Sequence, residues 1–264
     1  MGDTVNSDRS GSSNGIICLF EYGKGINLWN PATRRKLTTQ DRPSWCSWNS
    51  AKGPFYTVFG FGYDPILEDY KILRWTKPDT YAMYTLTTDT WCEIRGPATL
   101  DTNVASSQCL FNGTLHWVVQ CKLIDQSEGM VYNYHIMAFD LSADVFSAIP
   151  LPEKSWGTRQ VTIMKGFLAV MSSEDDNTCI WVRKEESWSV AFNINTIGFG
   201  RASKVLQLPT SGYFLLKSFQ RGVLVYNPAT HLQSRLEKLK GSKRLHSMEL
   251  CIEGLGLLHM GTSC

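Results

Sequence analysis

GINLWNPATRRKL runs from Gly25 to Leu37, and GVLVYNPATHLQS runs from Gly222 to Ser234. Both read Gly, a short alternating apolar run, an aromatic residue, then Asn-Pro-Ala-Thr. The same unusual phrase at two distant points is the mark of an architecture built from repeated units. A looser search finds it five times. INLWNPAT ends its apolar run at Trp29, YAMYTLTTDTW at Tyr84, HIMAFDLSADVF at Phe139, TCIWVRKEESW at Trp181 and VLVYNPAT at Tyr226. Each run alternates, ends on an aromatic and passes through polar turn residues into a second strand. That pattern predicts a β-hairpin in every copy. Three copies place another aromatic seven residues on, from Tyr84 to Trp91, Phe139 to Phe146 and Trp181 to Trp188.

A second element precedes most copies. It is Gly followed by a continuous apolar run: GIICLF from Gly15, GTLHWVV from Gly113, GFLAVMS from Gly166 and GYFLLKS from Gly212. In the second copy, FGFGYD followed by DYKILRW takes this place. Continuous runs suit strands buried on both faces. The aromatics recur at steps of 55, 55, 42 and 45 residues, close to the roughly 40–50 residues of a propeller blade. Stacked blades bury faces that a lone sheet leaves wet, at about 25 cal/mol per Å² of apolar surface. The aromatics are expected to pack between blades. The glycines are expected to allow a tight entry near a crowded axis. Helical periodicity is nearly absent; LQSRLEKLKGSKRL, from Leu232, is the best candidate and Gly241 interrupts it. The expected fold is all-β, one β-propeller-like (kelch-like) domain spanning residues 11–264, after a disordered polar stretch at 1–10. Five blades are clear. The tail HSMELCIEGLGLLHM, from His246, offers one strand or two, which favours six if the termini share a blade.

Composition supports a packed core, with 43% hydrophobic against 19% charged residues. A formal net charge of +2 is too mild to argue for nucleic acid or an anionic membrane. No apolar run approaches the roughly 18 residues of a membrane span. The start, MGDTVNSDRSGSSNG, lacks the apolar region of a secretory signal, and Asn6 stands where myristoylation wants Ser or Thr. The eight cysteines show no CxxC spacing and read as reduced, mainly buried thiols of a cytoplasmic or nuclear protein. Asn112-Gly113-Thr114, formally a glycosylation sequon, reads as a tight turn.

GSSNGIICL (from Gly11), LWNPATRR (from Leu28), FGFGYDPILEDYKILR (from Phe59), YTLTTDTW (from Tyr84), GTLHWVV (from Gly113), FDLSADVFSAIPLP (from Phe139) and ESWSVAFNI (from Glu186) follow one another in order. Together they resemble the F-box associated domain of plant F-box proteins, over about Gly11 to Leu258. The resemblance implies the substrate-recognition region of a Skp1-cullin-F-box (SCF) type ubiquitin ligase adaptor, which captures a target protein for ubiquitination and proteasomal degradation. In the S-locus type the target is a pistil ribonuclease. The family carries an F-box ahead of the Gly-Ser-Ser-Asn-Gly motif. Ten polar residues stand there here, so a Skp1-type adaptor and a cullin are expected as partners only if an F-box is supplied upstream. Two other readings stay open: a stand-alone interaction propeller without a ligase role, and a propeller enzyme, which would need acids or histidines gathered at one central pocket.

The residues give little support to an enzyme. None of His116, His135, His231, His246 and His259 has a His or Cys at metal-ligand spacing. His116, inside LHWVV, reads as core. Gly60 and Gly62 in FGFGYD lack the third glycine and the helix of a dinucleotide loop. Glu174-Asp175-Asp176 reads as a solvated hairpin turn. The basic group Arg235, Lys238, Lys240, Lys243 and Arg244 reads as a solvated loop. Cys109 and Cys121 have no neighbouring support as nucleophiles. No cofactor or metal is expected. Target binding is expected in long connections that carry interface-type residues. These are Trp45 and Trp48 in the connection Thr38–Phe55, Tyr132 in the connection Gln120–Tyr134, and Trp156 and Arg159 in KSWGTRQ. Arg74, closing the FGFGYD segment, joins them. For Trp45 and Trp48 the structural alternative is packing onto a blade.

Overall fold

A computed structural model describes residues 10–21, 25–39, 57–76, 80–97, 102–125, 129–218, 221–236 and 248. Five antiparallel sheets follow one another along the chain. Blade 1 is β1 (Ser10–Ser13), β2 (Ile16–Glu21), β3 (Gly25–Asn30) and β4 (Arg35–Thr39). Blade 2 is β5 (Thr57–Asp64), β6 (Asp69–Thr76), β7 (Thr80–Thr85) and β8 (Thr90–Ile94). Blade 3 is β9 (Thr102–Val104), β10 (Cys109–Phe111), β11 (Thr114–Asp125), β12 (Gly129–Asp140) and β13 (Val145–Pro150). Blade 4 is β14 (Thr158–Met164), β15 (Phe167–Glu174), β16 (Asn177–Lys184) and β17 (Ser187–Asn195). Blade 5 is β18 (Ala202–Gln207), β19 (Phe214–Ser218), β20 (Gly222–Tyr226) and β21 (Gln233–Leu236). Inner strands of neighbouring blades touch, β1 with β5, β10 with β14 and β14 with β18. The fold is a β-propeller with five blades among the described residues, the lower of the two expected counts. The tail His246–Met260, save Met248, lies outside them. The segment that looked most helical begins instead as β21.

Four apolar clusters coincide with the four interfaces between consecutive blades. Ile16, Cys18, Phe20 and Leu28 meet Phe61, Ile72 and Tyr84 between blades 1 and 2. Leu73, Trp75 and Tyr81 meet Trp117, Met137 and Phe139 between blades 2 and 3. Val118 and Ile136 meet Val161 and Val170 next, and Met171 and Ile180 meet Val205, Phe214 and Tyr226 last. Neighbouring residues of one strand take opposite sides: Ile72 faces blade 1 while Leu73 faces blade 3. Period-two alternation with both faces covered is why the middle strands read as unbroken apolar runs.

Each repeat aromatic lies in the third strand of its blade, at or one residue from its end except for Trp181, which β16 passes by three residues. The phrase is thus the outer hairpin of a blade, in the first and the fifth. Tyr84, Phe139 and Tyr226 are buried against the preceding blade, whereas Trp29 is exposed. The turn explains the spelling. Asn30 Oδ1 accepts from Ala32 N at 3.0 Å and Thr33 N at 3.1 Å. Asn227 Oδ1 accepts from Ala229 N at 2.9 Å. These are Asx turns in which Pro sets the next φ. The step of seven residues makes Tyr84–Trp91 and Phe139–Phe146 cross-strand partners, with ring centroids 5.3 and 4.5 Å apart. The third pair does not follow. A turn that is shorter and comes later in the hairpin, closing at Lys184–Ser187, puts Val190 opposite Trp181 and Trp188 opposite Arg183, and Trp188 donates instead to Pro150 O of blade 3 at 2.9 Å.

The expectation for the glycines is corrected. Gly15 and Gly113 follow Asn14 and Asn112, and all four have positive φ. They form the Asn-Gly turns between first and second strands, as read for the sequon. Backbone conformation, not crowding, is what matters, since a Cβ on Gly166 or Gly212 would meet nothing within 4 Å. Crowding acts at Gly60 and Gly62 instead. A Cβ on Gly60 would lie 2.6 Å from Trp117, and one on Gly62 2.6 Å from Leu141. The FGFGYD motif is therefore a close contact between blades 2 and 3.

Polar groups also join the blades. Lys71 and Asp64 are both buried and stand 3.0 Å apart. Lys71 also donates to Leu141 O, and Ser142 Oγ donates to Asp64, so the pair ties blade 2 to the blade 3 turn. Burial alone would raise the Asp64 carboxyl; bonds from Ser142, Lys71 and the N–H groups of Leu67 and Ile66 outweigh it and hold it below the usual range. Near the axis, Gln108 pairs with both N–H and C=O of Phe61. Gln160 Oε1 accepts from Val205 N at 3.2 Å, and Gln207 Oε1 accepts from Lys165 N at 2.7 Å. Glutamines thus take the place of strand pairing between blades. Of the five described cysteines, all free, Cys18 and Cys109 are buried, while Cys92 is exposed, against expectation. His116 is core, and its Nδ1 lies 3.3 Å from Cys109 O.

Candidate functional site

In a sequential meander, turns between strands one and two and between three and four lie at one end of the blade. Turns between two and three, and links to the next blade, lie at the other. At the first end every described connection is a short turn. The second end is irregular, and the candidate site is built there around blades 3 and 4.

The connection Gln120–Tyr134, expected as a loop, is the outer half of a long hairpin. β11 and β12 pair continuously from Thr114–Asp140 out to Asp125–Gly129. Period-two placement puts Tyr132 and Tyr134 on one face. Tyr134 accepts from Gln120 Nε2, and the Arg159 guanidinium sits over its ring at 4.3 Å from the centroid, a cation–π contact. Arg159 is itself held from the loop before β14, where Nε donates to Ser155 O at 2.7 Å and Nη1 to Gly157 O at 3.2 Å. Ser155 Oγ donates to Pro152 O at 2.7 Å. These bonds fix the loop on both sides of Trp156, which is 62% exposed, while Tyr132, one step out from Tyr134, is 50% exposed.

The structure therefore brings Tyr132, Trp156 and Arg159 to one rim, with Arg159 as the clamp rather than a free contact. Arg74 is not part of it. It lies half-buried in β6 between Phe59 and Ala82. Trp45 and Trp48 lie outside the described residues, as do Lys238, Lys240, Lys243 and Arg244. Arg235 reaches Gly198 O across blades 4 and 5. Glu174, Asp175 and Asp176 are an exposed turn at the rim end, where Asp175 pairs with Arg201 at 3.1 Å. At the root of the hairpin, Cys121 Sγ lies 3.8 Å from His135 Nδ1 and 3.4 Å from Thr102 Oγ1. Burial lowers the His135 pKa and keeps the ring neutral at pH 7. Sequence reasoning missed this contact because Cys121 and His135 meet only through strand register.

It also missed a cavity of about 220 Å³ on the axis, lined by Ser13, Gly15, Gln108, Gln160, Thr162 and Lys204 among others. The turn at Asn14-Gly15 lines it too, so it sits toward the end opposite the hairpin. Alternating polar residues on innermost strands were its only trace in the sequence.

Residues 2–199 match the F-box associated beta propeller domain. The chain belongs to that family. Among curated proteins, the F-box associated propeller is 26% identical over 238 residues to an F-box/kelch-repeat protein of Arabidopsis thaliana, covering 82% of this chain and 60% of the relative. It is 24% identical over 227 residues to the F-box protein CPR1 of Arabidopsis thaliana, covering 70% and 51%. The chain thus spans only about half to three fifths of those relatives. Among solved structures, a chain of the crystal structure of a mitotic checkpoint complex superposes with a TM-score of 0.50 at 11% identity, over 88% of this chain and 66% of that one. That likeness concerns the fold alone.

Proposed function

We propose that this propeller is the target-recognition part of an F-box-type substrate receptor, and that the rim of the β11–β12 hairpin and the Trp156 loop is where the target binds. The observation that carries this reading is a rigid, aromatic, exposed rim on a domain of this family. Tyr132 and Trp156 present large side chains on supports fixed by hydrogen bonds. Interfaces concentrate their binding energy in such residues, at about 2 kcal/mol or more each. The domain acts by binding rather than by chemistry. Trp45 and Trp48 are further candidate target contacts in this proposal. An F-box joined to the domain would connect it to a Skp1-type adaptor and a cullin, in the cytoplasm or nucleus, and so to ubiquitination of the bound target. Among the described residues no helix is long and apolar enough to cross a membrane.

The test is affinity purification of the chain from plant extract with the proteasome blocked, beside a Trp156→Ala, Tyr132→Thr variant. A protein enriched on the wild type and depleted on the variant supports the rim and names the target, a pistil ribonuclease included. Identical protein sets on both would overturn it. Recovery of a Skp1-type adaptor and cullin separates a ligase role from stand-alone binding.

A further inference from the structure

The β11–β12 hairpin outruns its own sheet. β13 leaves β12 at the His135–Pro150 pair, and β9 meets β11 only at Val119–Cys121. One bond fixes the direction of the backbone groups beyond. Leu141 N donates to Gly113 O at 3.0 Å, one step past the Thr114–Asp140 pair. Bonded and non-bonded pairs alternate in an antiparallel ladder. Odd-numbered residues of β12 therefore turn their N–H and C=O toward β11, and even-numbered ones turn away. Two observations agree. Val118 O, on an even position of β11, accepts from Ala105 N on the other side at 2.8 Å. Pro150, with no N–H to give, stands opposite His135 at a non-bonded position. Met130, Tyr132 and Tyr134 thus aim their backbone groups at the line that β13 has vacated, and among the described residues no strand takes it.

This edge lacks the usual protection. Gly129–Tyr134 reads GMVYNY, with no charge and no proline. The outer strands β4, β8 and β21 carry Arg, Lys or Glu, and β13 ends on Pro150; β17, SWSVAFNIN, is uncharged like this edge, but it is the outermost strand of its own sheet rather than a strand that its neighbour has left. Charges and prolines are what keep edges from pairing with other chains. Tyr132 stands at the middle of the open row on the face of the Arg159 clamp.

The geometry points to strand addition: an extended segment of the target protein pairs with β12 along Gly129–Tyr134 and continues the line of β13. This rests on the receptor reading above. A row of outward N–H and C=O groups is satisfied only by another extended backbone. The uncharged edge and the Tyr132 face select a segment with β-branched or aromatic residues at alternate positions.

The test uses the full chain and a display library of linear peptides of about ten residues. Enriched peptides are measured on wild type, Tyr132→Pro and Tyr132→Thr. The Tyr132 N–H is not used by β11, so proline removes the outward donor and leaves the hairpin paired, which a thermal melt verifies. Threonine removes the ring and keeps the donor. The expected result is a loss of at least about tenfold on Tyr132→Pro beyond that on Tyr132→Thr, with N-methylation of the peptide harmful at every second amide. Equal losses on both variants would overturn strand addition and leave the rim reading standing. No peptide enriched over Tyr132→Pro would overturn it too. A dimer of the free chain that Tyr132→Pro dissolves would put a second copy, not a target, on the edge. The receptor reading fails separately, through an unchanged pull-down on the Trp156→Ala, Tyr132→Thr variant.

Discussion

The two copies of Asn-Pro-Ala-Thr make the same turn and meet different fates. In blade 5, Tyr226 is 3% exposed against blade 4, and its hydroxyl lies 2.7 Å from His231 Nδ1. In blade 1, Trp29 is 40% exposed. Tyr84, Phe139 and Tyr226 turn toward the blade before their own, and among the described residues no blade covers Trp29 in that way. Local spelling decides the turn; the neighbouring blade decides what the aromatic is worth.

A pair of truncations puts that to the test. Tyr226→Ala should cost about 3 kcal/mol or more in urea unfolding, as for a buried aromatic truncated to Ala. Trp29→Ala should cost under about 1 kcal/mol. Equal losses would mean that Trp29 is covered as Tyr226 is, and the contrast between first and last blade would fall.

A second contrast sets the buried pair Asp64–Lys71 against the exposed pair Asp175–Arg201. Asp64→Ala leaves Lys71 without its main partner inside the blade 2–blade 3 contact, and removing one member of a buried pair costs about 3–5 kcal/mol. Asp175→Ala should change stability by under about 0.5 kcal/mol. The double-mutant cycle with Ser142→Ala should show coupling for Asp64, because the two side chains share one hydrogen bond.

How much of this was legible follows from what sequence patterns encode. The five hairpins, the Asn-Gly turns and the doubly buried strands are local, written in period-two alternation and turn residues. The segment Gln120–Tyr134 reads as a loop in the sequence because its polar and aromatic residues show no regular period-two alternation. Trp188 shares its spacing with Trp91 and Phe146, yet its hairpin turns over two residues, between Lys184 and Ser187, rather than four, and the spacing of aromatics does not state the turn length. Arg159 was found as a rim residue, but not as a clamp, since its partners are backbone carbonyls at Ser155 and Gly157. The glutamine links at Gln108, Gln160 and Gln207 depend on which blades meet, which alternation alone does not state. Arg74 shows the converse: a charged residue at the end of a motif segment, it pairs within blade 2 between Phe59 and Ala82, a placement that only strand order states.

The third prediction concerns pH. Burial lowers the pKa of both His116 and His135. Each is depressed below its unfolded value near 6.5, so the unfolded chain binds the proton first as pH falls. Stability should be full at pH 7.5 and decline through and below about 6.5. Asp64, also depressed, adds a further loss only below about pH 4. Urea midpoints at pH 7.5 and 5.0 read the histidines, and His116→Gln should flatten that slope. An unchanged midpoint between those values would mean that neither imidazole is desolvated.

The smallest effects return to the shared phrase. Asn30→Ala and Asn227→Ala each remove an Asx acceptor from the same turn. A hydrogen bond of this kind contributes about 0.5–1.5 kcal/mol net. Asn30 is buried and accepts from two N–H groups, whereas Asn227 is half-buried and accepts from Ala229. Asn30→Ala should therefore lose somewhat more than Asn227→Ala, by a margin under about 1 kcal/mol, in the opposite order to the aromatics beside them. Melting curves of the four single variants would show both orders at once. If the asparagines instead followed the aromatics, with Asn227→Ala the costlier, the turn would owe its stability to the neighbouring blade, and the separation of local spelling from packing would not hold.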